Sequence, residues 1–118
     1  MKTTNAKKPV FQGDLMVRRI AKRPADVTLS SSNVVAHSET GHHHVAERAR
    51  VWNGADPLKC YVTPIEGAES IDLVHQRAYD THEPVRLLWD APVKDEEVVY
   101  EITRQREWAP EGWRQVRD

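Results

Sequence analysis

The sequence predicts a mainly β fold, a small β-sandwich or barrel with little helix. Three observations point there. Apolar and polar residues alternate with period two over short stretches, most cleanly where Val98, Tyr100 and Ile102 alternate with Glu97, Glu101 and Thr103. Turn clusters rich in Gly, Pro, Asn and Asp recur at about eight to twelve residues, the spacing of short antiparallel strands. No stretch longer than about twelve residues keeps the period of a helix.

The elements follow in order. Residues 1–9 are polar and basic and read as a disordered arm, and residues 10–118 read as a single β domain. After Gly13-Asp14 comes a strand over Leu15 to Ile20, and then a turn at Pro24 and Asp26. Val27 to Leu29 is a short strand before the loop at Ser30 to Asn33. A hairpin is expected from strands near 33–38 and 42–52, joined through Glu39-Thr40-Gly41, with Gly41 in the left-handed region. Asn53 to Pro57 is a turn cluster, and Leu58 to Thr63 is a strand stopped by Pro64. Strands are also expected from Ile71 to His75 and from Val85 to Trp89. In the last segment, Glu97 to Trp108, the parity of Ile102 puts Arg104, Arg106 and Trp108 on the apolar face. Either the strand leaves the core there, or these arginines meet a buried carboxylate. One short helix has room within Asp90 to Glu97 or after Pro110.

Composition excludes several classes. The formal net charge of −1 creates no global field for nucleic acid, although the first 24 residues carry seven Lys or Arg and only Asp14 against them. A nucleic-acid binder is therefore ranked last, and it has no recognisable motif. No apolar run is long enough for a membrane span, and Met1 to Val10 lacks the apolar core of a signal peptide. The one cysteine, Cys60, leaves no internal disulfide and fits a reducing, cytoplasmic setting. Its strand-like neighbours make it a small buried residue rather than a nucleophile. There is no Gly-rich phosphate loop, no nucleophile elbow and no Cys-x-x-Cys pair.

The most pointed chemistry lies between His37 and Val45, where four of the six histidines fall within eight residues. On a strand His42 and His44 share a face, and His43 takes the other. With Gly41 in a bulge, Ser38 lies opposite His42, and His37 falls on the side of His43. Two imidazoles at i and i+2 suit a transition metal with nitrogen ligands. The competing expectation is that these are solvated or hydrogen-bonded structural histidines, and a rival metal face would use His37 and His43.

Three motifs occur in order: Thr40-Gly41-His42-His43-His44, His82-Glu83-Pro84-Val85-Arg86-Leu87 and Gln105-Arg106-Glu107-Trp108. Over roughly residues 13–118 the chain resembles a family of short bacterial and phage proteins without assigned function. These carry Thr-Gly-His-x-His, His-x-Pro-Ile/Val-x-Leu and Gln-Arg-Glu-Tyr/Trp motifs. The resemblance implies His42, His44 and His82 as the site histidines. Members often have a second histidine before the middle motif, where this chain has Tyr79. More distantly, the order of His42-x-His44 and His82 resembles cupins, small metal-binding barrels. Their carboxylate is not matched, since Glu47 has the parity of His43.

The expected site is thus His42, His44 and His82, with Glu39 and Tyr79 as auxiliaries, holding a divalent transition metal such as Zn, Fe or Ni. Ligation needs neutral imidazoles, so binding weakens as the pH falls below about 6. Whether the chain is an enzyme stays open. The alternative is a non-enzymatic phage or mobile-element accessory or assembly protein, with Trp108 and Trp113 as a cap or an interface, and with homo-oligomerisation open.

Overall fold

The computed structural model describes residues 2–36, 43–75, 83–90, 94, 97–109 and 112–115, with side chains through residue 105. The described residues are mainly β, and no helix occurs among them. Of the expected helix positions, Gly112–Gln115 form a strand instead, and 91–93, 95–96, 110–111 and 116–118 lie outside the described residues.

The first sheet holds five strands: β1 (Lys2–Thr4), β10 (Val85–Leu87), β9 (Ile71–His75), β6 (His44–Glu47) and β5 (Val34–Ala36), in the order β1-β10-β9-β6-β5. The second holds six: β2 (Val10–Gln12), β3 (Leu15–Ile20), β11 (Val99–Arg104), β8 (Lys59–Pro64), β7 (Ala49–Asn53) and β4 (Thr28–Leu29), in the order β2-β3-β11-β8-β7-β4. Within these two sheets every neighbouring pair is antiparallel except β1 with β10. A separate two-stranded ribbon joins β12 (Arg106–Ala109) to β13 (Gly112–Gln115).

The two large sheets pack face to face as a sandwich and do not close into a barrel. The expected barrel alternative, with its cupin-like closure, is therefore set aside. The core between the sheets comes from alternate residues of both. Ile71 and Leu73 of β9, Val85 and Leu87 of β10, and Ala46 of β6 meet Leu15 and Val17 of β3, Val62 of β8, and Tyr100 and Ile102 of β11. Each of these is at most 2% exposed. Tyr100 also ties the layers by donating its hydroxyl to the Leu88 carbonyl at 2.6 Å. Burial, opposed by the Arg19 guanidinium, pushes this phenol up to about 12.

Three expectations are corrected. The strand foreseen over 42–52 is two strands in two sheets. Arg48, at φ 61°, turns the chain from β6 in the first sheet to β7 in the second. A left-handed residue reverses the strand direction locally, which an unbroken alternation cannot reveal. The N-terminal arm is not left outside the fold. β1 pairs with β10, Leu88 donates its N–H to the Thr4 carbonyl, and Ala6 is fully buried. Its polar side chains hide this, because an edge strand is held through its backbone. The last strand breaks at Gln105, and Arg106 begins the separate ribbon.

In the hairpin Ala36 pairs with His44, and the register shifts between Val34 and Ala36. The expected Ser38–His42 pairing lies outside the described residues. The turn itself, including Gly41, lies outside the described residues.

Candidate functional site

The site is built from a tight turn in one sheet and two adjacent strands in the other. Gln12 and Leu15 pair across the turn Gly13-Asp14 that joins β2 to β3. Gly13 has φ 60°, the conformation wanted at the first central position of a two-residue hairpin turn. Both flanking polar side chains enter the core: Gln12 is 2% exposed and Asp14 4%. From the other sheet, His44 on β6 and His75 on β9 are a cross-strand pair on the inner face, 1% and 3% exposed. Their rings stack with centroids 4.1 Å apart and planes 5° apart.

Gln12 organises this cluster. Its amide nitrogen donates to two main-chain carbonyls, Leu73 at 2.9 Å and Glu83 at 3.0 Å. Both amide hydrogens are then used, so Gln12 Oε1 is the acceptor facing His44 Nδ1, 2.9 Å away. His44 therefore carries a proton on Nδ1. Asp14 Oδ1 lies 3.9 Å from its Nε2, and Asp14 Oδ2 accepts from Arg104 Nε at 3.2 Å. Both sequence alternatives for this segment are met in part: Arg104 meets the buried Asp14, and the strand then ends, with Arg106 in the separate ribbon.

This arrangement can do specific chemistry. An imidazole whose Nδ1–H is fixed by an outer partner presents Nε2 as a base or as a metal ligand. One ion at about 2.1 Å from each ligand spans at most ~4.2 Å, so His44 Nε2 and Asp14 Oδ1 lie within reach of one ion. A tetrahedral angle at that ion needs the two atoms roughly half an ångström closer. His44 and His75 cannot serve one ion together in this geometry, because an ion takes an imidazole lone pair in the ring plane and parallel stacked planes share no such point. Among the described residues no three His, Cys, Asp or Glu side chains form a group that could hold a metal ion.

Of the expected site residues, only His44 is described. His42, His82, Glu39 and Tyr79 lie outside the described residues, as does His37. His43 is half-buried, and parity puts it on the face opposite His44. Gln12, Asp14 and His75 were not foreseen. For His75 a signal existed, since Ile71, Leu73 and His75 share one parity. For Gln12 and Asp14 there was none, because a short polar stretch beside a Gly turn reads as surface.

Other ionisable groups are explained by packing. Burial pushes the Cys60 thiol up to about 12, so it stays protonated, and it leans on the Val35 carbonyl at 3.6 Å. Among the described residues no helix is long and apolar enough to cross a membrane. No family model matches the chain, and neither a curated protein nor a solved structure matches it.

Proposed function

We propose that this chain is a small metal-binding β-sandwich protein, with His44 Nε2 as one ligand atom and His42 and His82 as its companions. The observation that carries the reading is the Gln12 amide. It fixes the His44 tautomer and also donates from its nitrogen to the Glu83 carbonyl at 3.0 Å. Glu83 follows His82 by one peptide, about 3.8 Å between Cα atoms. Glu83, the residue after His82, thus shares the Gln12 side chain with His44, and sequence parity groups His42 with His44. Asp14 supplies a carboxylate on the Nε2 side. Such outer partners orient metal-ligating histidines and tune their affinity. Zn, Fe and Ni all suit this donor set. The single protonated thiol fits a reducing compartment such as the cytoplasm.

Metal analysis of protein purified without a tag tests this, followed by zinc titration of variants. The parent is expected to bind, and His44→Ala and His42→Ala are each expected to abolish binding. Gln12→Leu should weaken it by about 10–100-fold with the ligands intact. Loss only in His37→Ala/His43→Ala would move the site to the opposite face. No binding by the parent would end the metal reading.

A second reading has its own observation. The His44–His75 stack is almost wholly buried between the sheets. That placement suits histidines that pin two layers in an accessory or assembly protein of phage or mobile-element type. In that case zinc leaves every melting temperature unchanged, while His75→Ala destabilises as much as His44→Ala.

A further inference from the structure

His44 and Asp14 turn atoms of the same hydrogen-bonding kind towards each other. Gln12 Oε1 accepts the Nδ1–H of His44, so a neutral ring carries an acceptor lone pair on Nε2. Across from Nε2 lies Asp14 Oδ1, a carboxylate oxygen and also an acceptor. The two side chains are 1% and 0% exposed, so they meet in the interior. Two facing acceptors are joined there by a proton, a water or a cation.

The distance chooses among the three. A protonated imidazole and a carboxylate close to about 2.7–2.9 Å. A bridging water, about 2.8 Å from each acceptor, holds them roughly 4.4 Å apart. Two ligand atoms on one ion, each at about 2.1 Å, stand about 3.0 Å apart at a right angle and at most about 4.2 Å apart. The observed 3.9 Å falls in the range of the ion alone.

Both atoms are also held in place. The Gln12 bond and the parallel stack on His75 fix the tautomer and the plane of the His44 ring. Asp14 follows Gly13 in the tight turn between β2 and β3, and its Oδ2 accepts from Arg104 Nε at 3.2 Å. Ligating carboxylates are themselves hydrogen-bonded, as ligating imidazoles are. Arg104 thus stands to Asp14 as Gln12 stands to His44. Its side chain is 19% exposed, which leaves its charge partly in water.

We propose that Asp14 Oδ1 is a direct ligand of the ion at His44, with Arg104 as the residue that positions it. The ion then joins the two sheets, since His44 lies in the first and Asp14 in a turn of the second. The inference rests on the metal reading of His44 and goes beyond it by adding an oxygen ligand from the opposite sheet.

Zinc titration of the full chain by calorimetry tests it, on the parent and on variants checked for a dispersed amide NMR spectrum. Asp14→Asn keeps the shape of the side chain and should lower zinc affinity more than about 100-fold, the upper end for a residue that only supports a ligand. Arg104→Gln should weaken binding about tenfold, and Arg104→Lys, which keeps a charged donor, should recover part of the loss. Asp72→Asn, an arginine-held carboxylate on the outer face, should bind like the parent. If Asp14→Asn does not fold, the carboxyl carbon-13 signals of the parent decide, because zinc should move that of Asp14 and leave that of Asp72 in place. The ligand assignment is overturned, with the metal reading intact, if the parent binds zinc and Asp14→Asn loses about 100-fold or less. It is also overturned if Asp72→Asn loses as much as Asp14→Asn, or if the Asp14 carboxyl signal does not move. The positioning role falls if Arg104→Gln binds like the parent. A parent that binds no zinc overturns this inference and the metal reading together.

Discussion

Asp14 and Asp72 are both buried carboxylates held by arginine, and they behave as different devices. Asp72 lies on the outer face of the first sheet, opposite Arg86 in the β9–β10 register. Arg86 meets it with two parallel bonds, Nε to Oδ1 at 2.9 Å and Nη2 to Oδ2 at 3.1 Å. Arg48 adds a third contact at 2.7 Å from the corner where the chain changes sheets. Both arginines are about two-fifths exposed. Asp14 lies between the sheets with a side chain that is 0% exposed, and it faces an imidazole as well as a guanidinium. A guanidinium never gives up its proton, so Asp72 is a permanent staple. An imidazole can exchange a proton or take a metal, so the Asp14 cluster is where chemistry can occur. Charge pairing alone does not mark a site; the partner's chemistry does.

The comparison can be broken at several strengths. The largest effect is expected from Asp14→Ala, which strands Arg104 near the core and should cost about 3 kcal/mol in urea unfolding. If Asp72→Ala costs more, the interior cluster is not the tighter constraint. Gln12→Leu comes next. It leaves the Leu73 and Glu83 carbonyls and His44 Nδ1 without their shared partner, and should cost about 2 kcal/mol. Removing residues 1–6 takes away β1 beside Arg86, together with buried Ala6. A drop of roughly 5 °C in melting temperature is expected, and an unchanged melt would show that β1 contributes nothing.

Asp72→Asn should cost least, about 1 kcal/mol at neutral pH, because its arginine partners are solvated. Its pH dependence sharpens the contrast. The Arg86 hydrogen bonds, and then Arg48, hold the Asp72 carboxyl below its ordinary range. A depressed carboxyl contributes stability that is present above its unfolded pKa and lost as the pH falls through the folded value. The difference between parent and Asp72→Asn should therefore be constant near neutrality and shrink below about pH 4. A difference that changes between pH 6 and 8 instead would implicate a histidine.

What the sequence determined by itself was local. Alternation and turn residues set the strands β3, β8, β9 and β11, because a half-buried strand must alternate wherever it lies. The parity of β11 pointed Arg104 inward and left a buried carboxylate as one of two outcomes, and Asp14 meets it. Tertiary structure alone decided which sheet each strand joined, since alternation says that a face is covered but not by what. It decided that one strand would become two at Arg48, where a left-handed residue carries no signal in its side chain. It also decided that Gln12 and Asp14, from a polar turn that reads as surface, would be the partners of His44. Their meeting spans the gap between two sheets, and no spacing along the chain encodes a contact that exists only once the sheets have packed.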